Sequence, residues 1–123
     1  MTRFLLPLFL LSSALLNGCA HQGLYDWGRY EHDLYTAYKD PAQTEALRAR
    51  LEEHIGALEA SGAKVAPGLY AELGTLYLQA NRTDQAIAWY AKEQATWPES
   101  RGLMSTLIAR LGKRDNAAKE TEQ

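Results

Sequence analysis

Residues 67–100, PGLYAELGTLYLQANRTDQAIAWYAKEQATWPES, decide how the rest of the chain is read. Two helical runs are parted by Asn81-Arg82-Thr83-Asp84, a polar tetrad suited to a turn and to capping the helix that follows. Tyr70, Leu73, Gly74 and Tyr77 recur at helical spacing before the turn, and Ala86 and Tyr90 after it. Gly74 and Ala86 are small where two helices of a hairpin would cross closely, while Tyr77 and Tyr90 fill the space between hairpins. Pro98 sets the turn into the next helix. No segment keeps a period of two, so no strand is expected.

The length of this window and its placed residues resemble the tetratricopeptide repeat, which implies a helical hairpin stacked on like neighbours. One position departs. Glu93 stands where the repeat prefers a small alanine, so it is expected to look outward or to mark the last full repeat. Trp89, Tyr70 and Glu93 are candidates for the concave side. Residues 101–112 then carry Leu103, Leu107 and Leu111 beside Met104 and Ile108, the pattern of a capping helix that Gly112 ends. Residues 113–123, KRDNAAKETEQ, have no apolar period and read as a flexible tail.

Working upstream, Leu47, Leu51, Ile55 and Leu58 mark one helix closed by Ser61-Gly62, with Arg48, Glu52, Arg50 and His54 on its wetter side. Another helix carries Trp27, Tyr30, Leu34 and Tyr38 on one stripe and stops at Asp40-Pro41. Gly28 through Pro41 resembles the second half of a degenerate repeat, with Asp33 in the small-residue site. The fold expected for residues 25–112 is therefore all-α, about five helices in tetratricopeptide-like hairpins.

The first eighteen residues, MTRFLLPLFLLSSALLNG, are a different piece. Arg3 precedes an apolar run from Phe4 to Leu16 whose helical rise of about 20 Å falls short of a bilayer's hydrocarbon core. Residues 1–18 thus read as a cleaved signal peptide. Leu16-Asn17-Gly18-Cys19 resembles the bacterial lipobox, with Asn17 an unusual residue at its second place. That resemblance implies lipidation of Cys19, the one cysteine; the alternative is a buried free thiol. Several acyl chains on Cys19 would anchor the protein durably, leaving 19–24 as a tether. By resemblance to enterobacterial lipoprotein sorting, where an Asp after the cysteine retains the protein in the inner membrane, Ala20 implies the outer membrane, periplasmic face. Both phenylalanines leave with the signal, so the remaining aromatics are seven tyrosines and three tryptophans.

Chemistry is scarce. A lone cysteine excludes an internal disulfide or a thiolate-rich zinc site. A net charge of −2 with dispersed Lys and Arg argues against nucleic acid. His21, His32 and His54 form no metal-ligand spacing, and Glu52-Glu53 point too far apart for paired acid–base work. No nucleophile, phosphate-loop or dinucleotide motif is present, so no catalytic residue, metal or cofactor beyond the lipid is expected and the chain is read as a non-enzyme. The richest feature is LYDWGRYEHDLYTAYKD, residues 24–40, with Tyr25, Trp27, Tyr30, Tyr35 and Tyr38. Its stripe fits a core face. That reading leaves Tyr25 and Tyr35, which lie off the stripe, unexplained; the sharper reading makes all five aromatics one partner surface near the membrane.

LYDWGRYE, the YKDP after it, and LYAELG followed by WPES resemble a family of small bacterial lipoproteins known as a domain of unknown function. The resemblance implies no catalysis. It implies a neighbourhood instead, since members are encoded beside a lipoprotein similar to the curli secretion channel subunit. The expected function is a membrane-anchored helical adaptor or accessory subunit of a secretion-like envelope complex, with a protein partner or self-association covering the leftover repeat face. The alternative is a cell-wall or lipid-binding envelope factor with an aromatic ligand groove.

Overall fold

The computed structural model describes residues 23–121. Residues 1–18, read above as a signal peptide, the lipobox-like stretch with Cys19, and His21 lie outside the described residues. Within them the regular structure is all helical. It comprises α1 (Tyr30–Lys39), α2 (Thr44–Ser61), α3 (Leu69–Gln79), α4 (Thr83–Thr96) and α5 (Arg101–Thr121), with 3-10 turns at Pro41–Gln43 and Pro98–Ser100. Each helix packs on its neighbours in the chain.

Proline and glycine punctuate this path. Pro41 and Pro98 open the two 3-10 turns, and the Asp40 carboxylate accepts the Ala42 N–H at 3.1 Å. Gly62 ends α2 in the left-handed region, at φ +73°, while the Ala63 N–H returns to the Leu58 carbonyl at 3.0 Å. Between α3 and α4 the left-handed turn residue is Asn81, at φ +59°. The tetrad supplies no side-chain cap. Arg82 precedes α4 uncapped, and Asp84 instead sits in the first turn, where its charge favours the helix dipole.

The core follows the repeat signature. Leu69, Tyr70, Leu73, Leu76 and Tyr77 of α3 pack with Ala86 and Tyr90 of α4, and Leu47, Leu51, Ile55 and Leu58 of α2 close the other side. A Cβ on Gly74 would lie 2.8 Å from Tyr90 Cε1 and 3.1 Å from the Ala86 carbonyl oxygen. Glycine is what lets α3 and α4 cross this tightly. The Tyr90 ring is fixed from its far end, where its hydroxyl meets Thr75 Oγ1 at 3.0 Å.

Four expectations are corrected. Glu93 does not look outward: it is 0% exposed, and its Oε1 accepts the Gly68 N–H and the Ser100 hydroxyl, both at 2.9 Å. It ties the start of α3 to the turn before α5, a task no alanine performs. Gly112 does not end the last helix, since α5 runs to Thr121 through the region read as a tail. One glycine opposes a helix by only about 1 kcal/mol, and an Asp115–Lys119 pair at 2.8 Å lies one turn further on. Leu103 is exposed, and Met104, Leu107, Ile108 and Leu111 form the inward stripe of α5. Arg48 is buried rather than solvated, pairing with Glu45 and lying over the Tyr77 ring with its guanidinium carbon 4.6 Å from the centroid.

Candidate functional site

An N-terminal strap, residues 23–29, positions everything at this end of the molecule. The Asp26 carboxylate accepts the Gly28 N–H at 2.8 Å, a local turn that leaves Gly28 at φ +55°. Gly28 lies directly on the His54 ring, where a Cβ would come within 2.8 Å of Cε1. His54 Nε2–H donates to the Asp26 carbonyl at 3.0 Å. Further back, Tyr25 meets Trp97 edge-on at 5.5 Å, and Lys64 Nζ caps the Trp97 ring at 3.9 Å. The strap thus spans α2 to the end of α4.

The strap delivers the chain into α1, whose two faces reverse the simplest reading of its stripe. The inward face is Tyr30, Asp33 and Ala37. Burial, with the Glu72 carboxylate nearby, pushes the Tyr30 hydroxyl up to about 12. Asp33 is only 4% exposed and is held by Arg50 Nε at 3.2 Å, with the Arg29 guanidinium 3.9 Å away on the other side. The outward face is Leu34, Tyr35 and Tyr38, exposed by 39%, 57% and 84%. Lys39 Nζ lies 4.7 Å above the Tyr35 ring. Of the stripe Trp27–Tyr30–Leu34–Tyr38 only Tyr30 packs on the core, because ion pairing makes Asp33 the better inward residue and leaves Leu34 and Tyr38 outside.

The five aromatics proposed as one partner surface separate accordingly. Tyr35 and Tyr38 share the open edge with Leu34. Tyr25 and Tyr30 are half-buried structural contacts. Trp27, tilted against Tyr30 at 6.4 Å, stands at the mouth of a groove of about 330 Å³. Arg29, Asp33, Arg50, Glu53 and His54 line that groove, with Leu51 on its apolar side. Sequence reasoning missed this grouping. Its available signals were the Arg29–Asp33 spacing of one helical turn and the Asp26-x-Gly28 turn.

The repeat's tyrosines serve the fold rather than a ligand. Trp89 stacks on Tyr70 at 6.1 Å and on Tyr77 at 6.4 Å. Tyr70 and Tyr77 donate their hydroxyls to Glu59 at 2.8 Å and to Glu52 at 2.7 Å, fastening α3 to α2. Lys92 Nζ completes the seam, 2.9 Å from Glu59 and 4.6 Å over Trp89. Lys92, then the Tyr70 hydroxyl, holds the Glu59 carboxyl below the usual carboxylate range. Leu73, Gly74, Ala86 and Tyr90 are buried and Pro98 turns the chain, so the signature set is architectural. Of the residues placed on a concave side, Trp89 is half-buried in this seam and Glu93 is enclosed.

Among the described residues no three His, Cys, Asp or Glu side chains gather to hold a metal ion. No helix there is long and apolar enough to cross a membrane. No curated protein and no solved structure shows significant similarity to the chain. The family model described as a domain of unknown function, DUF4810, matches residues 24–107, from the strap into α5, and the chain belongs to that family.

Proposed function

We propose that the protein is an outer-membrane lipoprotein, anchored through Cys19, whose helical domain acts as an adaptor or accessory subunit of an envelope complex. One observation carries the reading: α1 packs on α2 but leaves Leu34, Tyr35 and Tyr38 open on its other side. Exposed tyrosines beside a leucine are favourable contact anchors, since they bury much area with few rotamers to order. A single clear repeat with partial neighbours is also short of the three or so that usually stand alone, so a second protein completing the α1 edge fits the architecture. Anchoring at Cys19 would raise the effective concentration of this edge for an equally anchored partner. A lipoprotein similar to the curli secretion channel subunit is the partner implied by family resemblance, and a second copy of the chain is the competing occupant.

The test is site-specific photocrosslinking in intact envelopes, with the reactive group at Tyr38 and, as control, at exposed Arg110 on α5. A single discrete product from Tyr38, absent from Arg110 and lost in Cys19→Ser, supports an anchored adaptor. Equal, diffuse products from both sites overturn it. A second reading, an envelope factor that binds a small ligand, is favoured by the Trp27 groove.

A further inference from the structure

The groove between the strap, α1 and α2 carries a charge pattern that neither the core nor the α1 edge uses. We propose that it binds a small zwitterion of amino-acid or short-peptide size. The ligand carboxylate would sit on Arg29 and Arg50, its ammonium on Glu53, and its apolar side chain against Trp27. The proposal deepens the ligand-groove reading and is independent of the adaptor reading.

Three observations lead to it. The walls are built in advance: the Asp26–Gly28 turn, the seating of Gly28 on His54 and the His54 bond to the Asp26 carbonyl fix the strap without a ligand. Fixed walls lower the ordering cost of binding. At about 330 Å³ the groove matches the low end of small-molecule sites.

The charges are also unequal along the groove. Asp33 is one buried carboxylate shared by two guanidiniums, so this end keeps an unmatched positive charge. Arg50 meets Asp33 through Nε, which leaves its terminal nitrogens to present a fork to a second carboxylate. Asp33 therefore works as a positioning residue for both arginines.

Glu53 lies one turn along α2 from Arg50, lines the same groove, and has no ion-pair partner among the described residues. A purely anionic ligand would meet Glu53, and a purely cationic one would meet Arg29 and Arg50. A neutral sugar would use Trp27 but leave these charges partly desolvated and unmatched. Only a ligand carrying both signs satisfies the two ends together.

The test titrates the full processed protein with L-phenylalanine, phenylacetate, phenethylamine and N-acetylglucosamine, read by amide NMR and calorimetry. Phenylalanine should bind with a Kd at or below the millimolar range and shift the Gly28 amide and the Trp27 indole. The two singly charged probes should each bind about tenfold more weakly, the effect of losing one charged hydrogen bond. Glu53→Gln should weaken phenylalanine and spare phenylacetate, whereas Arg29→Gln should weaken both. Glu53 and Arg29 are exposed, so their variants keep the fold; Arg50→Ala strips Asp33 of its nearest cation and serves only with its folding checked by circular dichroism. Equal binding of phenylalanine and phenylacetate, or indifference to Glu53→Gln, overturns the zwitterion. Binding of N-acetylglucosamine alone overturns it while sparing the ligand groove. If no probe moves the groove amides, or shifts fall only on residues 34–38, both readings fall.

Discussion

The hairpin α3–α4 and the hairpin α1–α2 share a plan and differ in what they bury. Each is a pair of helices joined by a short turn, and a proline follows α1 as another follows α4. In α3–α4 the large aromatics go inward, Tyr90 lying on Gly74 and Tyr77 fastening to α2. In α1 the small and the charged, Ala37 and Asp33, go inward with Tyr30 as the one ring beside them, and Leu34, Tyr35 and Tyr38 stay out. Apolar periodicity alone does not choose between these outcomes. The choice is made by which side chain finds a partner: Gly74 opens a space that only a ring fills, and Asp33 finds two guanidiniums.

The comparison breaks most readily at Gly74. In Gly74→Val the new side chain would press on the buried Tyr90 ring and the Ala86 backbone. A loss of about 3 kcal/mol is expected, lowering Tm by roughly 15 °C in thermal unfolding. Gly56→Ala on α2 is the matched control, with nothing within 4 Å of its Cβ. It should gain up to about 1 kcal/mol from helix propensity. Equal effects of the two substitutions would show that the α3–α4 crossing is not tight.

Glu93 sharpens the same contrast from the polar side. It is a buried acid that caps backbone in the repeat hairpin, as Asp33 is a buried acid that holds arginines in the other. Glu93→Ala leaves the Gly68 N–H and Ser100 hydroxyl without their acceptor, for an expected loss of about 2 kcal/mol in denaturant unfolding. Glu93→Gln keeps an oxygen for both donors and should recover most of that loss. Failure of Gln to outperform Ala would show that the carboxylate is not acting as an acceptor there.

These residues also mark what was legible in the sequence. The repeat hairpin was legible because Gly74, Ala86 and Pro98 each report a close approach or a turn that other residues fill poorly. The inward turn of Glu93 was not, since one donor, Gly68, lies 25 residues back and the other, Ser100, is brought round only by the turn at Pro98. For α1 hydrophobicity picks out the stripe through Leu34 and Tyr38, which faces outward, over Asp33 and Ala37, which face in. What decides between them is Arg50 on the next helix together with the strap seated on His54, both long-range contacts. Gly112 was misread for a local reason: a glycine stops a helix only where the chain turns left-handed, and here α5 continues through it.

A smaller effect separates two acids on the α2–α3–α4 side by pH. Burial raises the Glu72 carboxyl above its ordinary 4.5, so its ionisation lowers stability as pH rises through and past that value. Glu72→Gln should therefore raise Tm at neutral pH by under about 1 kcal/mol equivalent, the gain vanishing in acid below the unfolded carboxyl range. Glu59 has the opposite sign. Lys92 and Tyr70 lower its carboxyl, so its contribution is present above 4.5 and lost as pH falls through the lowered value. Glu59→Gln should cost a comparably small amount at neutral pH, because its partly exposed carboxylate is screened, and nothing in strong acid, where that carboxyl is protonated. Two pH–Tm curves that shift in the same direction would contradict the seam.

The smallest expected stability effect belongs to the outward face of α1, and its smallness is the point. Tyr35→Ser with Tyr38→Ser removes two exposed rings that lie outside the core cluster. Unfolding free energy should change by no more than about 0.5 kcal/mol, as for surface substitutions elsewhere. The same double variant should abolish a crosslinked product formed through this edge, because truncated interface tyrosines remove buried contact area without touching the fold. A fall in Tm of many degrees would mean that these rings are buried within the monomer, and α1 would then resemble α3 after all. A stable variant that keeps its complex would leave the edge a solvated surface and move the partner's site elsewhere. Only an unchanged fold with a lost complex is consistent with one hairpin keeping its aromatics for itself while the other presents them.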